Sequence, residues 1–130
     1  CALRADDKHL TVLRNLLERN RMERGQEDSL SNMNKDLHSA IASGANNSAL
    51  LRIMDVVWDI MGGNMWPLLK NESNNRKRQI ELHLDQHELI VEAICARDEK
   101  KAYQEMYEHL LTIEREMDSL VKKPFVQAEA

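Results

Sequence analysis

The chain has 130 residues, a formal net charge of -4 and 31% charged residues. That is long enough for one domain with its own core, and too acidic for a chain that neutralises nucleic-acid phosphates by itself. No unbroken apolar run of membrane-spanning length and no basic-then-apolar leader is present, so neither a transmembrane helix nor a signal peptide is expected, and the protein reads as cytoplasmic. Cys1 and Cys95 are too few for a disulfide framework, and Cys95, at the end of the apolar stretch from Ile90, is expected to be a buried thiol. With 4 Gly, 2 Pro and 4% aromatics beside abundant Leu, Ala, Glu, Met, Lys and Arg, the composition favours helix almost throughout.

Asp6 or Asp7 can cap a first helix, on which Leu10, Leu13, Leu16 and Leu17 make one apolar stripe ending near Gly25. A second helix is predicted over about 28–43, with Leu30, Met33, Leu37 and Ile41 along one side; Gly44 stops it, and Asn46-Asn47-Ser48 caps the next. The third helix carries Leu50, Ile53, Met54, Val57 and Met61 as far as Gly62-Gly63-Asn64, and Pro67 opposes its continuation. Residues 70–75 are polar and turn-like. A long fourth helix then places Ile80, Leu84, His87, Val91 and Ile94 at helical spacing, and Arg97-Asp98 closes it and caps the last. That last helix carries Ala102, Met106, His109, Ile113, Met117 and Leu120 before the stop at Lys122-Lys123-Pro124, leaving 122–130 as a frayed tail. The expected fold is an all-α antiparallel bundle of five to six helices.

Of five histidines, His38, His87 and His109 fall on the apolar stripes of three different helices. A buried imidazole needs a partner for each ring nitrogen, and a shared divalent metal is one solution for three of them. The competing solution is three separately satisfied core histidines. A fourth ligand must lie three or four residues from His38, which selects Asn34; Asp36, two residues away, points about 200° around the helix and is expected to be solvated. His83 and His87, four residues apart, are a second possible pair, with His83 beside the stripe. The cluster Arg76-Lys77-Arg78 reads as a solvated face.

These spacings are familiar. The chain resembles the ligand-sensing FadR C-terminal domain (FCD) class of GntR-type transcription regulators. The family's Asp-x-x-x-His signature, followed some nine positions on by Asn and a small or polar residue, corresponds to Asn34-Lys35-Asp36-Leu37-His38 and then Asn46-Asn47-Ser48. Its second signature corresponds to His87 opening an apolar helix, Arg97-Asp98, and His109-Leu110, with the family's spacing of 22 between the two histidines. Within the family, Trp58 followed by Asn64-Met65-Trp66 resembles the hexuronate regulators of the UxuR and ExuR type.

The resemblance implies a divalent metal, zinc first and nickel or manganese next, on His38, His87 and His109, with Asn34 at the position of the family's aspartate. The amide is a departure, because it brings no charge to the ion. It further implies a small carboxylate effector, a sugar acid, in a pocket walled by Asn34, Trp58, Met65 and Trp66; plain core packing is the competing account of the tryptophans. The sensing domain is expected over 1–121 without its first helix, the winged helix-turn-helix that contacts DNA lies outside this chain, and the whole regulator is expected to be a homodimer. A metal-free pocket for a different acid is the first alternative within the family. An enzyme is not expected: a metal-dependent bundle enzyme would need a general base on the same stripes, and none is read there.

Overall fold

A computed structural model describes residues 1–24, 27–61 and 73–121, with side chains over 1–24, 33–61 and 77–119. Met65, Trp66, the Gly62-Gly63-Asn64 break and the Lys122-Lys123-Pro124 stop lie outside the described residues. Among the described residues there are five helices and no strand: α1 (Asp7–Met22), α2 (Glu27–Gly44), α3 (Ser48–Ile60), α4 (Ser73–Cys95) and α5 (Glu99–Val121). The all-α bundle is as expected, and no described helix is long and apolar enough to cross a membrane.

The helix ends follow from local chemistry. Asp6 caps α1, its carboxylate accepting from the backbone N–H of His9 at 2.9 Å. Gly44 ends α2 where a Cβ would stand 2.7 Å from Cys1 Sγ and 3.3 Å from Ala5 Cβ, so the missing side chain lets the N-terminal turn lie against the helix. Asn46 turns the chain at φ 51°, and the side chain of Asn47 accepts from the N–H groups of Ala49 and Leu50 to start α3. Arg97 ends α4 at φ 59°, with Arg97 N–H bonded to the Ile94 carbonyl and Asp98 N–H to the Ala93 carbonyl, the paired bonds of a Schellman turn. An arginine replaces the usual glycine there, and its guanidinium donates to the carbonyls of Ala2 at 3.1 Å and Ala5, which ties the N-terminal turn to the α4–α5 corner. Asp98 then caps α5, accepting from Lys101 N–H at 3.0 Å.

Helices α4 and α5 pack along their length, α1 bridges α2 and α4, and α2 carries α3. Leu10, Leu13 and Leu17 of α1, Leu37 of α2, and Ile90, Val91 and Ile94 of α4 form the main core. Burial of these aliphatic side chains stabilises the bundle by roughly 1.5–3 kcal/mol each before entropy is charged.

Three expectations are corrected. The stripe of α3 is not core: Leu50, Ile53 and Val57 are exposed, Ile53 by 59%, and no residue of α3 is buried. Among the described residues α3 packs chiefly against α2, and its half-buried positions are Leu51, Met54 and Trp58, with half-buried Met61 just past its end, so only Met54 and Met61 of the expected stripe are partly covered. Cys95 is half-buried rather than buried, because it is the last residue of α4. Helix α4 also begins at Ser73, inside the stretch read as a turn.

Candidate metal centre

The three stripe histidines meet. Leu37 is fully buried against α1 and fixes the rotation of α2, so that His38 faces the seam between α4 and α5. His87 is carried by the core face of α4 and His109 by the facing side of α5, at 3% and 1% exposure. His87 Nε2 stands 3.2 Å from His38 Nε2 and 3.2 Å from His109 Nε2, and the three potential ligand atoms all lie within 4.8 Å of one another.

A hydrogen-bond chain fixes which nitrogen of His109 faces the centre. The hydroxyl of Thr112 donates to the Glu108 carbonyl at 2.9 Å, so its oxygen is left to accept from Gln86 Nε2 at 2.9 Å. That orients Gln86 with Oε1 toward His109 Nδ1 at 2.9 Å, which makes Nδ1 the protonated nitrogen. His109 Nε2 therefore presents a lone pair to His87 Nε2. This is the outer-layer arrangement that holds a metal-binding imidazole in one tautomer.

Burial makes the group neutral. Desolvation, followed by repulsion from neighbouring imidazoles, holds His38 down to about 4, His109 to about 3 and His87 to about 2, against an ordinary 6.5. Neutral nitrogens at this separation leave the repulsion between lone pairs only partly relieved by any single N–H. A divalent ion would relieve all of it, and nitrogens bound to one zinc at about 2.0–2.1 Å stand about 3–3.4 Å apart, the spacing of His87 Nε2 from each of its two neighbours. The donor set and geometry thus fit a metal. His87 departs from the usual pattern, since its Nδ1 is buried with no partner.

The other candidates divide. Asn34 lies one turn before His38, and its Oδ1 is buried with no hydrogen-bond partner, so this acceptor is left for a ligand to satisfy. Trp58 reaches the site from α3, its ring centroid 5.9 Å from that of His38 and its Nε1 buried without an acceptor. Met65 and Trp66 lie outside the described residues. Asp36 points away, as expected, and pairs with Arg19 at 2.7 Å on the outer surface.

Two features were not read from the sequence. An open, largely apolar groove of about 500 Å³ starts one helical turn from each histidine, at Ile41, Ile90 and Met106, and runs to Leu50, Tyr103 and Tyr107. His83 does not join the metal cluster. Its Nε2 lies 3.2 and 3.1 Å from the two carboxylate oxygens of Glu116, and its ring sits edge-on to His109 at 5.5 Å. The available signal for Glu116 was its place two turns after His109 on the same face of α5.

Compared with known proteins, the chain matches a family model described as FCD domain over residues 1–112. No curated protein and no solved structure matches it.

Proposed function

The chain belongs to the FCD domain family, and on that premise we propose that it is the ligand-sensing domain of a GntR-type transcription regulator, with a divalent metal held by His38, His87 and His109. The observation that carries this reading is the pair of 3.2 Å Nε2 contacts at His87 among three imidazoles that burial keeps neutral. Zinc is the first candidate, nickel and manganese the next.

The ion supplies a Lewis-acidic anchor for the carboxylate of a small acid, a hexuronate or related sugar acid. The chain's own residues orient and select. Trp58 Nε1 is a buried donor without a partner beside His38, and Asn34 Oδ1, one helical turn before His38, is a buried acceptor without one, which suits a polyhydroxylated ligand. With an amide at position 34 the centre keeps both charges of the ion, so metal affinity falls and attraction for an anionic effector rises.

The domain spans 1–121 and works as a cytoplasmic sensor rather than an enzyme. Effector binding draws α2, α4 and α5 together, and a winged helix-turn-helix domain in a homodimeric regulator changes its hold on DNA by the difference in effector affinity between the two states.

The test is metal stoichiometry by plasma mass spectrometry on protein purified without a nickel column, beside His87→Ala. Near one metal per chain, absent from the variant, is the expected result. No metal in either sample moves the reading to a metal-free pocket for a different acid.

A further inference from the structure

Helix α3 has two unlike sides. Its half-buried residues Leu51, Met54 and Trp58 lie on the side packed against α2, and Trp58 reaches on to His38. The opposite side is apolar and open: Ile53, Val56 and Ile60 are 59%, 57% and 62% exposed, and Ala49, one turn earlier, is exposed as well. Positions 49, 53, 56 and 60 alternate in steps of four, three and four, the a/d repeat of a helix that buries a narrow seam against one other helix. Single exposed aliphatic residues are ordinary, whereas a contiguous row of them marks a contact surface. The flanks of the seam say what meets it. One flank carries Leu50 and Val57, both exposed, and the other carries Arg52 and Asp59. Among the described residues neither charge has an ion-pair or hydrogen-bond partner. They stand two helical turns, about 10.5 Å, apart along the axis, too far to pair with each other in one chain. In a parallel pair of α3 helices each flank would meet the opposite flank, which sets Arg52 against Val57. In an antiparallel pair related by a two-fold axis each flank meets its own kind, so Arg52 meets the partner's Asp59 twice over and Leu50 meets the partner's Val57. The surface is complementary to itself in that one orientation.

We propose that the exposed side of α3 is the contact between two copies of this chain, packed antiparallel about a two-fold axis that passes between Ile53 and Val56. Ile53 of each copy packs beside the partner's Val56 at the centre, and Ala49 beside the partner's Ile60 at the ends. The two pairs of Arg52 with the partner's Asp59 close one flank and fix the direction. The inference gives the homodimer of the proposed regulator an interface, and it needs neither the metal nor the effector. It also sets α3 between the candidate centre, which its inner side touches through Trp58, and the second copy on its outer side.

The test is sedimentation equilibrium of the whole chain over a concentration series, with circular dichroism of each variant as the check on folding. The wild-type chain should dimerise. Val56→Lys, at a position open to solvent in the single chain, should raise the dimer Kd about 30-fold or more with the helical signal unchanged. Arg52→Asp and Asp59→Arg should each raise it about 10-fold, by setting like charges opposite one another, and the double variant R52D/D59R should return it close to the wild-type value. That rescue can only pass between copies, since the two residues do not meet within one helix. A wild-type chain that stays monomeric overturns the proposal and leaves α3 to a partner of another kind. A dimer that V56K leaves intact overturns it too, as does a charge-swapped double variant no tighter than the single ones. All three results leave the three-histidine centre standing, and a chain that dimerises in this way without binding zinc removes the metal reading alone.

Discussion

Helix α4 has two polar flanks that do different work. Toward α1 it presents Glu81, Asp85 and Glu88 to Arg24 and Arg21, on side chains that stay substantially in water. Toward α5 it presents His83, Gln86 and His87, whose contacts are directional and partly or wholly buried. On the first flank, any long cation and any carboxylate would serve. On the second, each atom's role is set by its neighbour, from the Thr112 hydroxyl through Gln86 to the lone pair on His109. Charge in water costs little to rearrange, whereas a buried polar group left without its partner costs about 1–3 kcal/mol. The difference between the flanks separates attachment from function.

The largest effect expected from that difference is on pH. The unfolded chain protonates its histidines near the ordinary 6.5, and the folded one holds His38, His109 and His87 down to about 4, 3 and 2 through burial and mutual repulsion, with His83 among the groups that repel them. Below 6.5 the unfolded state therefore binds more protons, and metal-free protein should lose stability as pH falls, by up to about 1.4 kcal/mol per pH unit for each imidazole. Above neutrality these groups contribute no slope. Urea unfolding of metal-free protein at pH 7.5, 6.5 and 5.5 measures it, and equal stability at 7.5 and 5.5 would mean that the three rings are not buried together. Saturating zinc should reduce the loss, because the ion competes with the protons for the same nitrogens.

A smaller effect is expected one layer out. Thr112→Val removes the oxygen that orients Gln86, so the amide is free to turn and His109 is no longer held in one tautomer. Zinc affinity should fall about 10-fold, while metal-free stability falls by about 1 kcal/mol. Isothermal titration of the variant checks this, and affinity equal to wild type would show that the ion alone orients His109.

How much of this was legible in the sequence depends on whether the information is periodic or relational. The stripes of Leu10, Leu13 and Leu17 and of Ile90 and Ile94 are periodic, and their burial follows from helical spacing. His38, His87 and His109 were found the same way, as polar residues at apolar registers. The α3 stripe shows the limit: spacing tells which residues share a face and says nothing of whether another helix covers it, and Ile53 and Val57, on the apolar stripe of the third helix, are exposed. The Gln86–Thr112 and His83–Glu116 contacts are relational. They depend on the stagger of α5 against α4, which no single helix encodes, and their residues look like ordinary surface positions until the two helices are set side by side.

The smallest effect belongs to the outer flank. Arg24→Ala removes two pairs at once, to Glu81 at 3.0 Å and to Asp85 at 2.7 Å. The guanidinium is about one-third exposed and Asp85 62% exposed, so water and salt replace most of what the pairs provide. Stability should change by less than about 1 kcal/mol, metal stoichiometry should be unchanged, and the difference from wild type should shrink in high salt. Chemical denaturation at low and high ionic strength makes the measurement. A loss above about 2 kcal/mol would place the α1–α4 contact among the interactions that determine the fold, because a seam held by replaceable charges cannot lose that much through one arginine. The leucines of α1 would then have to contribute less to that contact than their near-complete burial predicts.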